Sequence, residues 1–194
     1  MIKQTGNFYL FILLVVLDIL SGCQSAPIPK PRGYFRIEFP EKQYRAFDST
    51  FPYRFNYPVY GKIVIDNQTG AEKYWINIEF PKYKAKIHIS YKSVNGNINN
   101  LIEDVRTLAY KHTIKADAIN EKLFINPEKK VYGTLYDIKG NAASSYQFFV
   151  TDSVKHFLRG ALYFSAHPNK DSLAPAIDFF GKDMTYLIES LEWK

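Results

Sequence analysis

The stretches Tyr74-Trp75-Ile76-Asn77-Ile78-Glu79-Phe80 and Lys84-Ala85-Lys86-Ile87-His88-Ile89-Ser90-Tyr91 decide the fold of this chain. In each, an apolar residue recurs at every second position: Tyr74, Ile76, Ile78 and Phe80, then Ala85, Ile87, Ile89 and Tyr91. Strand side chains point to opposite faces in turn, so both segments have one apolar and one polar face. Such strands belong to an antiparallel sheet with one covered side. On this reading Lys84, Lys86, His88 and Ser90 face water.

Working outward toward the N-terminus, residues 62–65, a turn at 66–71 and residues 74–80 read as a hairpin. Before it, Phe51, Tyr53, Phe55 and Tyr57 fall on one face of another strand, and residues 34–40 alternate as a short first strand. Working toward the C-terminus, the period changes. Ile98, Leu101, Ile102, Val105, Leu108 and Ala109 recur at helical spacing over residues 97–112, with Glu103, Asp104, Arg106 and Lys111 opposite. Four more strand-like runs follow (118–125, 130–138, 143–151, 155–165), separated by Asn126-Pro127, Gly140-Asn141 and Asp152-Ser153. A last helix starts at Asp171 or Ser172, either of which can cap it, with Pro175 tolerated in the first turn. Its stripe is Ile177, Phe180, Met184, Leu187, Ile188 and Leu191, and Gly181 permits close contact with the sheet. Strands, helix, strands, helix is an α+β order: an antiparallel twisted sheet with two main helices packed on it.

The N-terminus reads differently. Lys3 precedes the uncharged run Phe8 to Leu17, which has the length of a signal-peptide apolar core. A spanning helix needs roughly 20 apolar residues, and Asp18 ends this run earlier. Leu20-Ser21-Gly22-Cys23 matches a lipobox, with cleavage between Gly22 and Cys23 and lipid on the thiol. Cys23 is the only cysteine in 194 residues, so it has no intramolecular disulfide partner. Several acyl chains on one residue anchor stably where a single chain does not. The expected organisation is a signal peptide over 1–22, a lipidated proline-rich tether over 23–33 (Pro27, Pro29, Pro31), and one domain over 34–194.

Composition excludes little but points somewhere. The chain has 25 basic and 19 acidic residues, net +6, and the signal segment removes one of each, Lys3 and Asp18. That excess is mild and fits a solvated surface. Fifteen Tyr and fifteen Phe favour strands and interfaces. The four histidines, 88, 112, 156 and 167, are scattered without metal-ligand spacing. No nucleophile elbow, phosphate loop or dinucleotide fingerprint occurs, and Asp178 and Asp183, five apart on the last helix, read as solvated charges. The expectation is no enzyme, no metal and no cofactor beyond covalent diacylglyceryl and N-acyl lipid on Cys23. Export removes the chain from nucleic acid. Lysines at 82, 84 and 86 read as the outer face or guard of a strand. Asp152-Ser153-Val154 and Asp171-Ser172-Leu173 fit an Asp-Ser-apolar O-glycosylation pattern, or serve as turn and cap. The best candidate for contact is the segment after the tether, where Arg32, Tyr34 and Arg36 offer interface side chains on a backbone fixed by prolines and Gly33; the alternative is a spacer.

The run Pro29-Lys30-Pro31-Arg32-Gly33-Tyr34-Phe35-Arg36-Ile37, together with Phe51 to Pro58, Trp75-Ile76-Asn77-Ile78, Phe157 to Phe164 and Pro175 to Leu191, resembles the gliding-motility lipoprotein GldD family of Bacteroidetes. The resemblance spans almost the whole chain. It implies a non-catalytic cell-envelope component required for surface gliding, acting beside other gliding lipoproteins and the type IX secretion machinery, and it supplies no catalytic residues. In architecture the order of elements is similar to a PsbP/Mog1-like α/β/α sandwich. Gln24 and Ser25 after the cysteine suggest the outer membrane, facing the periplasm. The alternative function is a periplasmic, lipid-anchored binding module for a small apolar or peptide ligand, which needs a cavity beyond roughly 300 Å³.

Overall fold

The structure, a computed structural model, describes residues 37–194. The signal segment, Gly22, Cys23, the tether, and Arg32, Tyr34 and Arg36 lie outside the described residues.

Among the described residues, ten strands and two α-helices follow in order: β1 (Tyr44–Phe47), β2 (Tyr53–Pro58), β3 (Lys62–Ile65), β4 (Ile76–Phe80), β5 (Ala85–Ser93), α1 (Ile98–Tyr110), β6 (Ala116–Asn126), β7 (Val131–Gly140), β8 (Ser144–Thr151), β9 (His156–Phe164), α2 (Lys170–Ser190) and β10 (Glu192–Trp193). Seven strands form one antiparallel sheet in the order β3-β4-β5-β9-β8-β7-β6. The other three form a small sheet, β1-β2-β10, with β2 in the middle. The α+β architecture expected from the alternation is the observed one.

The alternation of each strand builds two cores, one on each side of the large sheet. On the first side Ile76, Ile78, Phe80, Ile87, Ile89, Phe148, Leu158 and Leu162 pack against Phe180, Met184, Leu187 and Ile188 of α2 and against Tyr53 and Phe55 of β2. On the second, Tyr136, Ile138, Phe149 and Phe157 pack against Leu101, Val105 and Ala109 of α1. The helices therefore lie on opposite faces, α1 alone on one, α2 beside the small sheet on the other.

Four expectations need correction. Residues 37–40 are not in a strand; the first described strand is β1, further on. Pro40 and the exposed flanking residues give no ladder, whereas β1 finds β2 as a partner. The cap of α2 is Asn169, whose side chain accepts from the backbone N–H groups of Asp171 and Ser172. Lysines 84 and 86 do not guard an edge, because β5 is an interior strand of the large sheet. Finally, Asp183 is buried at 1% exposure, while Asp178 is exposed and pairs with Lys182 at 3.0 Å.

Candidate interaction site

The aromatic arm that enters the described region is held to α2 by an ionic knot. Asp183 faces inward between Phe179 and Leu187 on the helix and meets three donors. Lys42 Nζ lies 2.7 Å and Tyr44 OH 2.9 Å from Oδ1, and Tyr60 OH donates to Oδ2 at 2.7 Å. Lys42 also donates to the Phe179 carbonyl and to Tyr60 OH, both at 2.9 Å, and its ammonium sits 3.2 Å from the centroid of the Phe179 ring. Burial lowers the Lys42 pKa against the opposing pull of Asp183. Burial first, and then the Asp183 carboxylate, raise Tyr44 and Tyr60 well above the ordinary phenol range, so both hydroxyls stay donors. Buried charge persists in a protein when its partners satisfy it.

Tyr44 belongs to a second feature. Its ring lies 4.0 Å from that of Tyr186, and the pair walls one end of a groove of about 480 Å³ between α2 and the β6–β7 ribbon. The cross-strand pairs Asn120–Asp137 and Lys122–Leu135 bring those side chains to the same face of the ribbon. Tyr146 of β8 and Gly181 of α2 also line it. A Cβ at Gly181 would lie 2.6 Å from the Tyr146 ring, so glycine here lets helix and ring meet. Asp137 salt-bridges Lys139 through Oδ2 at 2.7 Å, but its Oδ1 is buried without a hydrogen-bond partner. Burial and the Asp137 carboxylate push Tyr146 up to about 12. A second groove of about 410 Å³ shares Tyr146 and Asp178 with the first, so the opening runs on along α2 toward Lys170. These volumes exceed what a small-ligand module needs.

Beside the groove, among the described residues, the large sheet ends in β6, which pairs only with β7. Its eleven residues are mostly exposed, with Leu123 at 68% and Ile125 at 70%. An unpaired edge of this length presents backbone donors and acceptors to another chain. The sequence offered one signal for it, the period-two run over 118–125, without revealing that the strand is terminal.

The histidines stay apart. His88, expected in water, is partly buried with Nδ1 at 3.1 Å from Asn77 Oδ1 and 3.4 Å from Asp66 Oδ2. His156 Nδ1 meets Tyr91 OH at 2.8 Å and its ring stacks on Trp193. Among the described residues no cluster of three or more His, Cys, Asp or Glu could hold a metal, and no helix is long and apolar enough to cross a membrane. Asp152 Oδ1 accepts three backbone N–H groups, from Val154, Lys155 and His156, so that Asp-Ser pair makes a turn.

Two helices on opposite faces of an antiparallel sheet define a PsbP-type α+β module. The solution structure of cyanobacterial PsbP (CyanoP) from Synechocystis is similar at a TM-score of 0.50 and 12% identity, covering 87% of this chain and 100% of that one. Residues 24–193 match the gliding motility lipoprotein GldD family, and the chain belongs to that family. Family membership supports a role in gliding motility and a lipid-anchored place in the cell envelope. No curated protein matches the chain.

Proposed function

We propose that this protein is a non-catalytic envelope lipoprotein that assembles with or stabilises other gliding lipoproteins and the type IX secretion apparatus. The observation that carries the reading is the β6 end of the sheet: a strand with one open edge among the described residues, with Leu123 and Ile125 exposed, flanked by a tyrosine-walled groove. Extended segments of partners add to such edges through main-chain hydrogen bonds, with side-chain pockets giving selectivity. Cys23, cleaved from Gly22 and lipidated, holds the chain at the outer membrane on its periplasmic side. The proline tether supplies reach, and the Lys42–Asp183 knot fastens the arm that follows it to α2. Arg32, Tyr34 and Arg36, which precede that arm in sequence, serve as further contact residues.

The test is complementation of a deletion strain, scored by colony spreading and by secretion of surface adhesins. Loss of both on deletion, and failure of Cys23→Ala to restore them, is expected; normal spreading of the deletion strain would overturn the reading. Crosslinking of the lipidated protein, with Arg32→Ala and Tyr34→Ala beside the parent, decides whether that segment is contact or spacer. Digestion by protease in intact cells would overturn the periplasmic orientation. The second reading, a binding module for a small apolar or peptide ligand, is favoured by one separate feature, the groove of about 480 Å³ beside α2.

A further inference from the structure

The face of the sheet under α1 carries a charge with no fixed counterpart. Arg159 projects from β9 on the same side as Phe157, opposite Ser90 of β5 and Phe149 of β8. Its Nη2 donates to Gln147 Oε1 at 3.1 Å, and Gln147 is itself 1% exposed. Its Nε is buried with no hydrogen-bond partner. Among the described residues no carboxylate lies within ion-pair distance of the guanidinium. A buried donor left without an acceptor is costly.

Arg159 opens onto a cavity of about 180 Å³. Its apolar walls come from Leu101, Val105 and Leu108 of α1 with Trp75 and Phe157. Two charges stand at the margin. Lys92 is tied to Glu72 at 2.6 Å, and Asp104 of α1 is exposed and forms no ion pair with Arg159. The arginine's field reaches both neighbouring histidines: burial first, then Arg159 among other charges, lowers His88 and His112.

We propose that this cavity is a binding site for a carboxylate carried on a small apolar group, with Arg159 as the carboxylate receptor. A guanidinium presents Nε–H and Nη–H as a planar fork that matches a carboxylate's two oxygens. Gln147 holds one side of that fork in place, and Arg159 lines the cavity. The apolar walls accept a short branched chain. The carboxylate comes either from a free acid or from the C-terminus of a peptide ending in a branched residue. This site lies on the face opposite the α2 groove and does not depend on docking at β6.

The experiment is NMR titration of the lipidated full chain in detergent micelles, following the Arg159 Nε–H resonance and the pKa values of His88 and His112. The probes are isovalerate, a tripeptide ending in leucine with free or amidated C-terminus, and inorganic phosphate. A downfield shift of Nε–H, with both histidine pKa values rising as the arginine is neutralised, is expected with isovalerate or with the free-acid peptide, and the better binder identifies the source. Amidation should abolish peptide binding. Arg159→Lys should weaken binding about tenfold or more, since a bidentate contact becomes a point charge. If that variant does not fold, two exposed positions keep the test alive: Asp104→Asn removes a like charge and should tighten binding, and Leu108→Trp should fill the cavity and abolish it. Phosphate binding as tightly as the acids would overturn the carboxylate assignment. An unmoved Nε–H with every probe at millimolar concentration, or weaker binding in Asp104→Asn, would overturn the site.

Discussion

The two faces of the large sheet are built from the same alternating strands, yet they are finished differently. The α2 face closes over an aromatic core in which Tyr53, Phe80, Phe148 and Phe180 are all at 0–1% exposure, and Asp183 within it has three donors; its unsatisfied polar atom, Asp137 Oδ1, lies out in the groove at the β6–β7 end. The α1 face is covered by a single thirteen-residue helix and keeps His88, Asn77, Gln147 and Arg159 beneath or beside it. A face finished with apolar groups and satisfied charge serves stability. A face that retains partly satisfied polar groups has given up stability for something else, which in natural proteins is recognition.

The strongest way to break that comparison is to truncate matching side chains on the two faces. Phe180→Ala should cost about 3–5 kcal/mol and Leu101→Ala about 2 kcal/mol, both read from urea unfolding with unchanged slope. Phe180 touches Phe80, Tyr83, Phe164 and Phe179, so its removal leaves a cavity with rigid walls. Leu101, at 7% exposure near a helix surface, can be partly replaced by solvent. Equal losses would mean that α1 carries as much of the stability as α2.

Asp183→Ala comes next, at about 3 kcal/mol, the lower end of the range for breaking a buried pair, because Lys42 retains 28% side-chain exposure and can turn to water. It strands two tyrosine hydroxyls as well. The double change Lys42→Met with Asp183→Leu should recover much of the loss, which a simple cavity at position 183 would not allow. A single variant as stable as the parent would show that the knot orients the arm without stabilising the fold.

Much of this was legible in advance, and the failures share a cause. Periodicity located β2, β4, β5, β6, β7, β8 and β9, and the stripe Phe180, Met184, Leu187, Ile188 was the buried side of α2. What periodicity cannot see is which partner a side chain meets after the chain folds back. Asp183 sits five residues from Asp178 and looks equivalent, but its donors come from positions 42, 44 and 60. Likewise, β10 has only two residues and exists because Arg54 and Tyr53 of β2 are waiting for it. Lysines near β5 resembled an edge guard because strand order, unlike strand identity, is set by long-range pairing. The groove and the Arg159 cavity are products of the same long-range placement, and no local pattern marks either.

A smaller effect depends on pH. His88, His112 and His156 all have lowered pKa values, with burial the main cause in each. The folded chain then binds fewer protons than the unfolded one just below the ordinary histidine value of about 6.5. Stability from this source is complete above that pH and is lost as pH falls toward the depressed values. Asp48, Asp152 and Glu192, also lowered, add a further loss at more acid pH. Urea midpoints should be level near neutrality and decline from about pH 6.5 to 5. His88→Gln should flatten part of that decline while keeping a hydrogen bond to Asn77; a midpoint that rises on acidification would refute the assignment.

The smallest effect on stability should be the most informative about function. Leu123 and Ile125 project from β6 on the same side as Thr134 and Tyr132 of β7, their cross-strand partners, at the rim beyond α1. Replacing both by lysine removes little buried area and should move the unfolding midpoint by no more than about 0.5 kcal/mol per site. An edge strand given two lysines nevertheless repels a further strand, the same device that keeps natural sheet edges single. Stability and docking therefore separate at these two positions, as they cannot at Phe180 or Asp183. The double variant, lipidated and expressed at the parental level, should fail to restore spreading to a deletion strain and should lose its crosslinked partners. Full restoration would assign the open edge to solvent and move the docking surface to the tyrosine-walled groove, where Tyr186→Ala is the corresponding change.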